Sequence, residues 1–121
     1  MNSNTFLLLL GAILCSVVGQ VLLKAGANAL GAVGFANLGQ KLIAMTTQPL
    51  LWAGLSIYAV SALGYIIVLS RAKLSAAAPL VAITYVFTVI ASMVFFGETV
   101  PVLRWAGISC IMAGVVMVLA A

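Results

Sequence analysis

The chain has 121 residues, 66% hydrophobic and 5% charged, with a mean hydropathy of +1.37 and a net charge of +4. Soluble domains carry about 25% charged residues, so this chain cannot coat itself with a solvated surface and takes lipid as its solvent. Its basic residues are scattered rather than gathered in a patch, which argues against nucleic acid as a partner.

The first apolar run covers residues 6–23. It is long enough for a hydrocarbon core of about 30 Å, which needs about 17–25 residues. Ala27-Asn28-Ala29 resembles a signal-cleavage site, but residues 1–5 lack Lys and Arg, and Ser16 and Gln20 interrupt the run. The run is therefore read as a retained membrane helix rather than a signal peptide. Residues 25–49 form a long connector. Its first part, through Gly34, is rich in Gly and Ala and reads as loop or frayed helix. Its second part places Phe35, Leu38, Leu42 and Met45 at helical spacing, with Asn37, Gln40 and Lys41 elsewhere around the wheel. That pattern predicts a short amphipathic helix lying in the membrane interface. An extension of a neighbouring membrane helix is the alternative.

Pro49 suits a helix start, where its missing N–H costs nothing. Residues 50–70 are the second span, with Trp52 placed as an interfacial anchor. Arg71 and Lys73 close it in a tight basic loop. Ser75 is expected to cap the third span, residues 76–96, with Pro79 near its first turn, where kinking is mild. Gly97, Glu98, Thr99, Val100 and Pro101 break the chain before the fourth span, residues 104–119, with Trp105 at its boundary. The expected fold is an all-α membrane protein: four transmembrane helices and a short interfacial helix between the first and second. Residues 1–121 form a single domain with both termini on one side of the membrane. Lys24, Lys41 and Arg104 oppose Arg71 and Lys73 across the bilayer, which gives the positive-inside rule no excess to read.

Polar groups at membrane depth must be satisfied or useful. Ser16, Gln20 and Lys24 step by four and share one side of the first helix. Together they are placed to hold an anionic headgroup such as a phosphate; alternatively Lys24 only anchors the helix end. Tyr58, Ser61 and Tyr65 share a face of the second span, and Tyr85, Thr88 and Ser92 a face of the third. Facing one another, they would make a groove with aromatic walls and hydroxyl donors, suited to a sugar. The competing account is local: Ser and Thr bond their own helix carbonyls, and Tyr fills space. Glu98 is the only acidic side chain: it pairs with Arg104 or Lys24, or at the rim it neutralises an amine on a substrate or carries a proton, and with Arg104 it counts among the candidate substrate-binding residues.

On the fourth span, Ala106, Cys110 and Gly114 step by four, and Gly107 lies seven before Gly114. Such a smooth stripe admits a close helix, either in a dimer seam or within one subunit. There is no His, and Cys15 and Cys110 lie mid-helix without metal-ligand spacing. No nucleophile lies beside a base, so neither catalysis, a metal nor a cofactor is expected.

Several of these segments resemble the four-helix branch of the drug/metabolite transporter superfamily. Gly19-Gln20 with Lys24, Pro79 with Tyr85-Val86-Phe87, and Ile90-Ala91-Ser92-Met93-Val94 carry the resemblance. Glu98-x-Val100-Pro101, Arg104-Trp105-x-Gly107 and Cys110-Ile111-Met112-x-Gly114 continue it over nearly the whole chain. They look most like the subunits that flip aminoarabinose-linked undecaprenyl phosphate across the bacterial inner membrane. That resemblance implies a multi-pass inner-membrane transporter, working as a homodimer or a heterodimer with a similar subunit. It implies a polyprenyl-phosphate glycolipid as substrate. The chain is also similar to small multidrug resistance exporters through Val17-Val18-Gly19, Phe95-Phe96-Gly97 and the Gly107/Gly114 stripe. Those exporters carry a glutamate where Ser16 stands here, and a serine cannot exchange a proton. Export of a small solute is the second reading. A non-transporting subunit of a larger membrane complex is the third.

Overall fold

The computed structural model describes residues 2–121. Its helices are α1 (Ser3–Leu30), α2 (Leu38–Thr47), α3 (Pro49–Arg71), α4 (Leu74–Leu80), α5 (Thr84–Phe96) and α6 (Val102–Ala120). A 3₁₀ turn at Phe35–Asn37 leads into α2, and another at Val81–Ile83 joins α4 to α5. No strand occurs among the described residues. Four helical units are long and apolar enough to cross a membrane: α1, α3, α4 with α5 as one span, and α6. This fits a multi-pass membrane protein.

Helix α1 runs further than the sequence predicts. Residues 25–30 are helical, not loop, and the helix stops only where Gly31 turns to φ +80°. A side chain is strained at that angle, and Gly is not. The Gly31 N–H donates to the Ala27 carbonyl at 3.1 Å, and the Lys41 ammonium donates to the Leu30 carbonyl. A lysine of the connector thus satisfies an orphan carbonyl at the end of α1 and adds favourable charge there. Lys24 consequently lies inside a helix, not at its end.

The amphipathic stretch does form a separate helix, α2. None of its residues is buried, and Phe35, Leu38, Leu42 and Ile43 are left uncovered by protein. An interfacial helix carries such a face. The Trp52 indole donates to the Thr46 carbonyl at 2.7 Å, tying α3 to the end of α2.

The centre of the fold is the antiparallel pair of α1 and α3. Ser61 lies against Ala12, Gly54 against Gly19, and Leu51 against Gly26. A Cβ on Gly19 would sit 3.1 Å from the Gly54 carbonyl oxygen, and one on Gly54 would sit 3.0 Å from the Gly19 oxygen. Lipid tails are as apolar as side chains, so helices associate in a membrane through close packing and hydrogen bonds. The Ser61 hydroxyl supplies one bond, donating to the Ala12 carbonyl at 2.7 Å while buried. Leu9, Ile13 and Val17 recur every fourth residue on α1 and pack with Val68, Leu80, Ala91 and Val115.

The third span departs from expectation at both ends of its first half. Lys73, not Ser75, occupies the cap position, and no side chain caps the helix there. Pro79 lies inside α4, in its second turn, rather than near the first turn of the span. It has no N–H for the carbonyl one turn back, and its ring crowds that carbonyl. The chain tightens into the 3₁₀ turn immediately afterwards. Helix α5 ends at Gly97, whose φ of +63° is left-handed. Helix α6 packs on α4 and the Val81–Ile83 turn, turning Ile108 and Val115 inward.

These contacts rank the glycines. Gly54→Val should cost about 1–3 kcal/mol, the usual range for overpacking a tight interface. Gly11 has nothing within 4 Å of its Cβ position, so Gly11→Val should leave the unfolding midpoint nearly unchanged. Detergent unfolding followed by circular dichroism checks this, and equal midpoints for the two variants would contradict the α1–α3 assignment.

Candidate functional site

A cavity of about 540 Å³ lies between α1, α3 and the broken third span. Along α1 it extends from Leu9 to Gln20, about 16 Å of helix axis. That size falls within the about 300–1,000 Å³ typical of small-molecule sites. Leu9, Ile13, Ser61 and Thr84 are buried in its wall, whereas Tyr58 and Tyr85 are exposed at its margin. Tyr65, Ser16 and Gln20 complete the polar lining.

Each helix contributes for a local reason. On α3, Tyr58, Ser61 and Tyr65 fall at helical spacing on one face, as their sequence predicts, and all three line the cavity. On α1, Ser16 and Gln20 line it one turn apart. The third span contributes Ala78, Val81, Ala82, Thr84 and Tyr85. These are the residues around the break, and the small alanines leave the space that becomes the cavity.

Five predicted site residues therefore meet here: Gln20, Tyr58, Ser61, Tyr65 and Tyr85. Thr88 and Ser92 do not. Their hydroxyls donate to the carbonyls of Tyr85 at 3.1 Å and Val89 at 2.7 Å, within their own helix. Sequence reasoning instead missed Thr84. It is buried, and its Oγ1 has no hydrogen-bond partner among the described residues. Nothing in the sequence sets it apart from Thr88 and Ser92.

The charges lie outside this lining, which contains no Asp, Glu, Lys or Arg. Lys24 Nζ is 3.9 Å from Glu98 Oε1, with both side chains about half exposed. The pairing resolves the two sequence alternatives for Glu98 in favour of Lys24, and Arg104 stays exposed without taking part in it. The turn at Gly97 positions Glu98, whose N–H reaches the Ser92 carbonyl at 3.2 Å. Lys24 is one turn along α1 from Gln20, so the ion pair sits beyond one end of the cavity.

Ala106, Gly107 and Cys110 are exposed on α6 and Gly114 is half-buried. Cβ positions on Gly107 and Gly114 meet nothing within 4 Å in this subunit. No metal-binding cluster of His, Cys, Asp or Glu occurs among the described residues. Cys15 and Cys110 are free thiols. Compared with known proteins, the chain matches no family model, no curated protein and no solved structure.

The two polar features should differ in their structural weight. Ser61→Ala removes a buried bond between the central helices and should destabilise the protein by about 1 kcal/mol. Lys24→Met breaks a long, half-exposed ion pair and should cost less than about 1 kcal/mol. Denaturant unfolding of both variants in detergent distinguishes them; a larger loss for Lys24→Met would make the ion pair a structural tie.

Proposed function

We propose that the protein moves a polyprenyl-phosphate-linked sugar between the leaflets of a bacterial inner membrane, as a dimer of identical or similar subunits. The observation that carries this reading is the cavity: aromatic walls, hydroxyls and an amide at membrane depth, with no charged residue in its lining. Tyrosine faces and hydroxyl groups suit a sugar ring, one covering its apolar face and the other bonding its edges. The phosphate needs a cation, because an unpaired ion out of water costs several kcal/mol or more. Lys24 lies one turn beyond Gln20, and its hold on Glu98 at 3.9 Å is loose. A phosphate at Lys24 would place the attached sugar at Gln20 and in the cavity behind it.

The exporter reading draws on the same aromatic walls, which also suit an organic cation. Proton exchange in such exporters needs a carboxylate beside the bound cation. Here Ser16 stands at that position, and its hydroxyl donates to the Ile13 carbonyl at 2.7 Å. Glu98 is outside the cavity and paired. This arrangement favours the glycolipid. The dimer would form on α6, where Cβ positions on Gly107 and Gly114 meet nothing in their own subunit and Ala106 and Cys110 are exposed.

In proteoliposomes carrying a labelled polyprenyl-phosphate sugar, Lys24→Ala and Gln20→Leu should abolish flipping while expression and assembly persist. Lys24→Arg should retain part of it, keeping the charge but changing its geometry. Parental rates in Lys24→Ala would move the phosphate to Arg71, Lys73 or Arg104. Overexpression should give no protection against quaternary ammonium compounds; pH-dependent protection would return the assignment to the exporters. Gly114→Leu should shift the detergent-solubilised protein from dimer to monomer on sizing.

A further inference from the structure

Helices α3 and α5 each pack on α1, but they do not pack on one another; α3 meets the third span through α4. The cavity between them therefore has a floor and two walls. On the floor, α1 contributes Leu9 and Ile13, which are buried. On the walls, α3 contributes Tyr58 and Ala62 and the third span Ala78 and Tyr85, all four exposed. The open side thus lies between α3 and the third span, opposite α1.

Depth decides what that side faces. Helix α3 has 23 residues, and so does the third span, Leu74–Phe96. Each is about 34 Å long, enough to cross a hydrocarbon core of about 30 Å. Tyr58 and Ala62 flank the middle of α3, and Tyr85 is at the middle of the third span. The opening is centred on lipid tails, far from water. Its lining holds no charged residue, and Lys24 follows one turn beyond Gln20 at one end. That end of the bundle carries Lys24, Lys41 and Arg104 against Glu98 alone, a balance that favours an anion over a cation.

We propose that this open side seats the hydrocarbon chain of a phosphate-headed lipid, so that the site is loaded sideways from the bilayer.

The inference rests on the glycolipid reading for one point, a phosphate at Lys24. A phosphodiester there has two substituents. The sugar goes to Gln20 and the floor. The chain has to return to hydrocarbon from the same phosphorus atom, and the open side runs along the floor at that depth. Lipid tails are as apolar as the groove, so the chain gains little by leaving them. The pairing of the phosphate with Lys24 is what holds it there, because an anion out of water needs a cation.

Quenching of a tryptophan by a brominated chain reads this seat. Trp52→Phe and Trp105→Phe remove the native indoles, and Ala62→Trp puts one at the open side. Leu63→Trp, exposed at the same depth but outside the lining, is its control. The full chain is placed in phosphatidylcholine nanodiscs with a small fraction of dodecyl phosphate brominated along its chain. Ala62→Trp should be quenched more than Leu63→Trp, and Lys24→Ala should lose that excess. The same chain with a trimethylammonium head should give none. Where Ala62→Trp does not fold, Ala78→Trp on the facing wall reads the same excess against Ile67→Trp; both lie one turn from the loop at residues 72–73. Equal quenching at positions 62 and 63 overturns the seat. Quenching at position 63 alone means that protein, such as a second copy of this chain, covers the open side, and it overturns the seat as well. An excess that survives Lys24→Ala, or that the trimethylammonium chain matches, overturns the phosphate-headed class. An excess without flipping of the polyprenyl-phosphate sugar overturns the transport reading and leaves the seat standing; flipping without an excess does the reverse.

Discussion

Gly19 and Gly54 bring the backbones of α1 and α3 so close that a methyl on either would meet main-chain atoms at about 3 Å. The arrangement of the other elements depends on this contact. It sets the register of the two helices, and with it the Ser61 bond to Ala12. The same register brings Tyr58, Ser61 and Tyr65 onto the side of the bundle where Ser16 and Gln20 lie. A sliding helix pair would lose the bond and the polar lining together. In water, apolar burial could compensate for a poor fit between helices. In lipid it cannot, because apolar side chains are equally well solvated when the helices separate.

The second constraint is Pro79. A straight third span would bond its own backbone and hydroxyls, as Thr88 and Ser92 do further along α5. The proline interrupts that pattern, and the Val81–Ile83 turn follows. Irregular backbone at membrane depth is tolerated where it borders protein or a cavity rather than lipid, and this break borders the cavity. It leaves a buried hydroxyl without a partner, which costs about 1–3 kcal/mol. The close α1–α3 contact and the broken third span thus act together: one fixes two walls, and the other opens the third.

Much of this was legible in the sequence. The four spans follow from uninterrupted apolar length, and the Tyr58, Ser61, Tyr65 face follows from helical spacing alone. The separate helix after Gly34 was legible from the recurrence of Phe35, Leu38, Leu42 and Met45. The end of α1 was not, because its last turn is held by Lys41 from the connector, a contact eleven residues away in the chain. The close helix contact was not legible either. Gly19, Gly26 and Gly54 look no different in sequence from Gly107 and Gly114, yet within the subunit the first three meet a partner helix and the other two meet nothing. Small residues announce that a helix can be approached, not which helix approaches it. Thr84 was overlooked in favour of Thr88 and Ser92 because a regular helix was assumed through Pro79. The break moved the polar wall towards the start of the span.

The distribution of charge limits how such a site can work. Because α3 runs antiparallel to α1, Arg71 and Lys73 lie at the opposite end of the bundle from Lys24. The cavity between them has dipoles but no ions. A neutral sugar can rest there at little electrostatic cost, its hydroxyls exchanging water for Gln20, Tyr58 and Tyr85. A phosphate cannot, since hydrogen bonds from a few neutral groups do not replace its hydration. On the proposed reading, the sugar is therefore held within the span while the phosphate waits at a cationic rim. The crossing itself must bring a cation along or a second subunit's polar groups to meet it. On the same reading, the exposed α6 face is where that second subunit would stand. Within one chain, Lys24 is the cation best placed for the first step: its stem is long, its partner is loosely held at 3.9 Å, and an arriving phosphate competes directly with the Glu98 carboxylate.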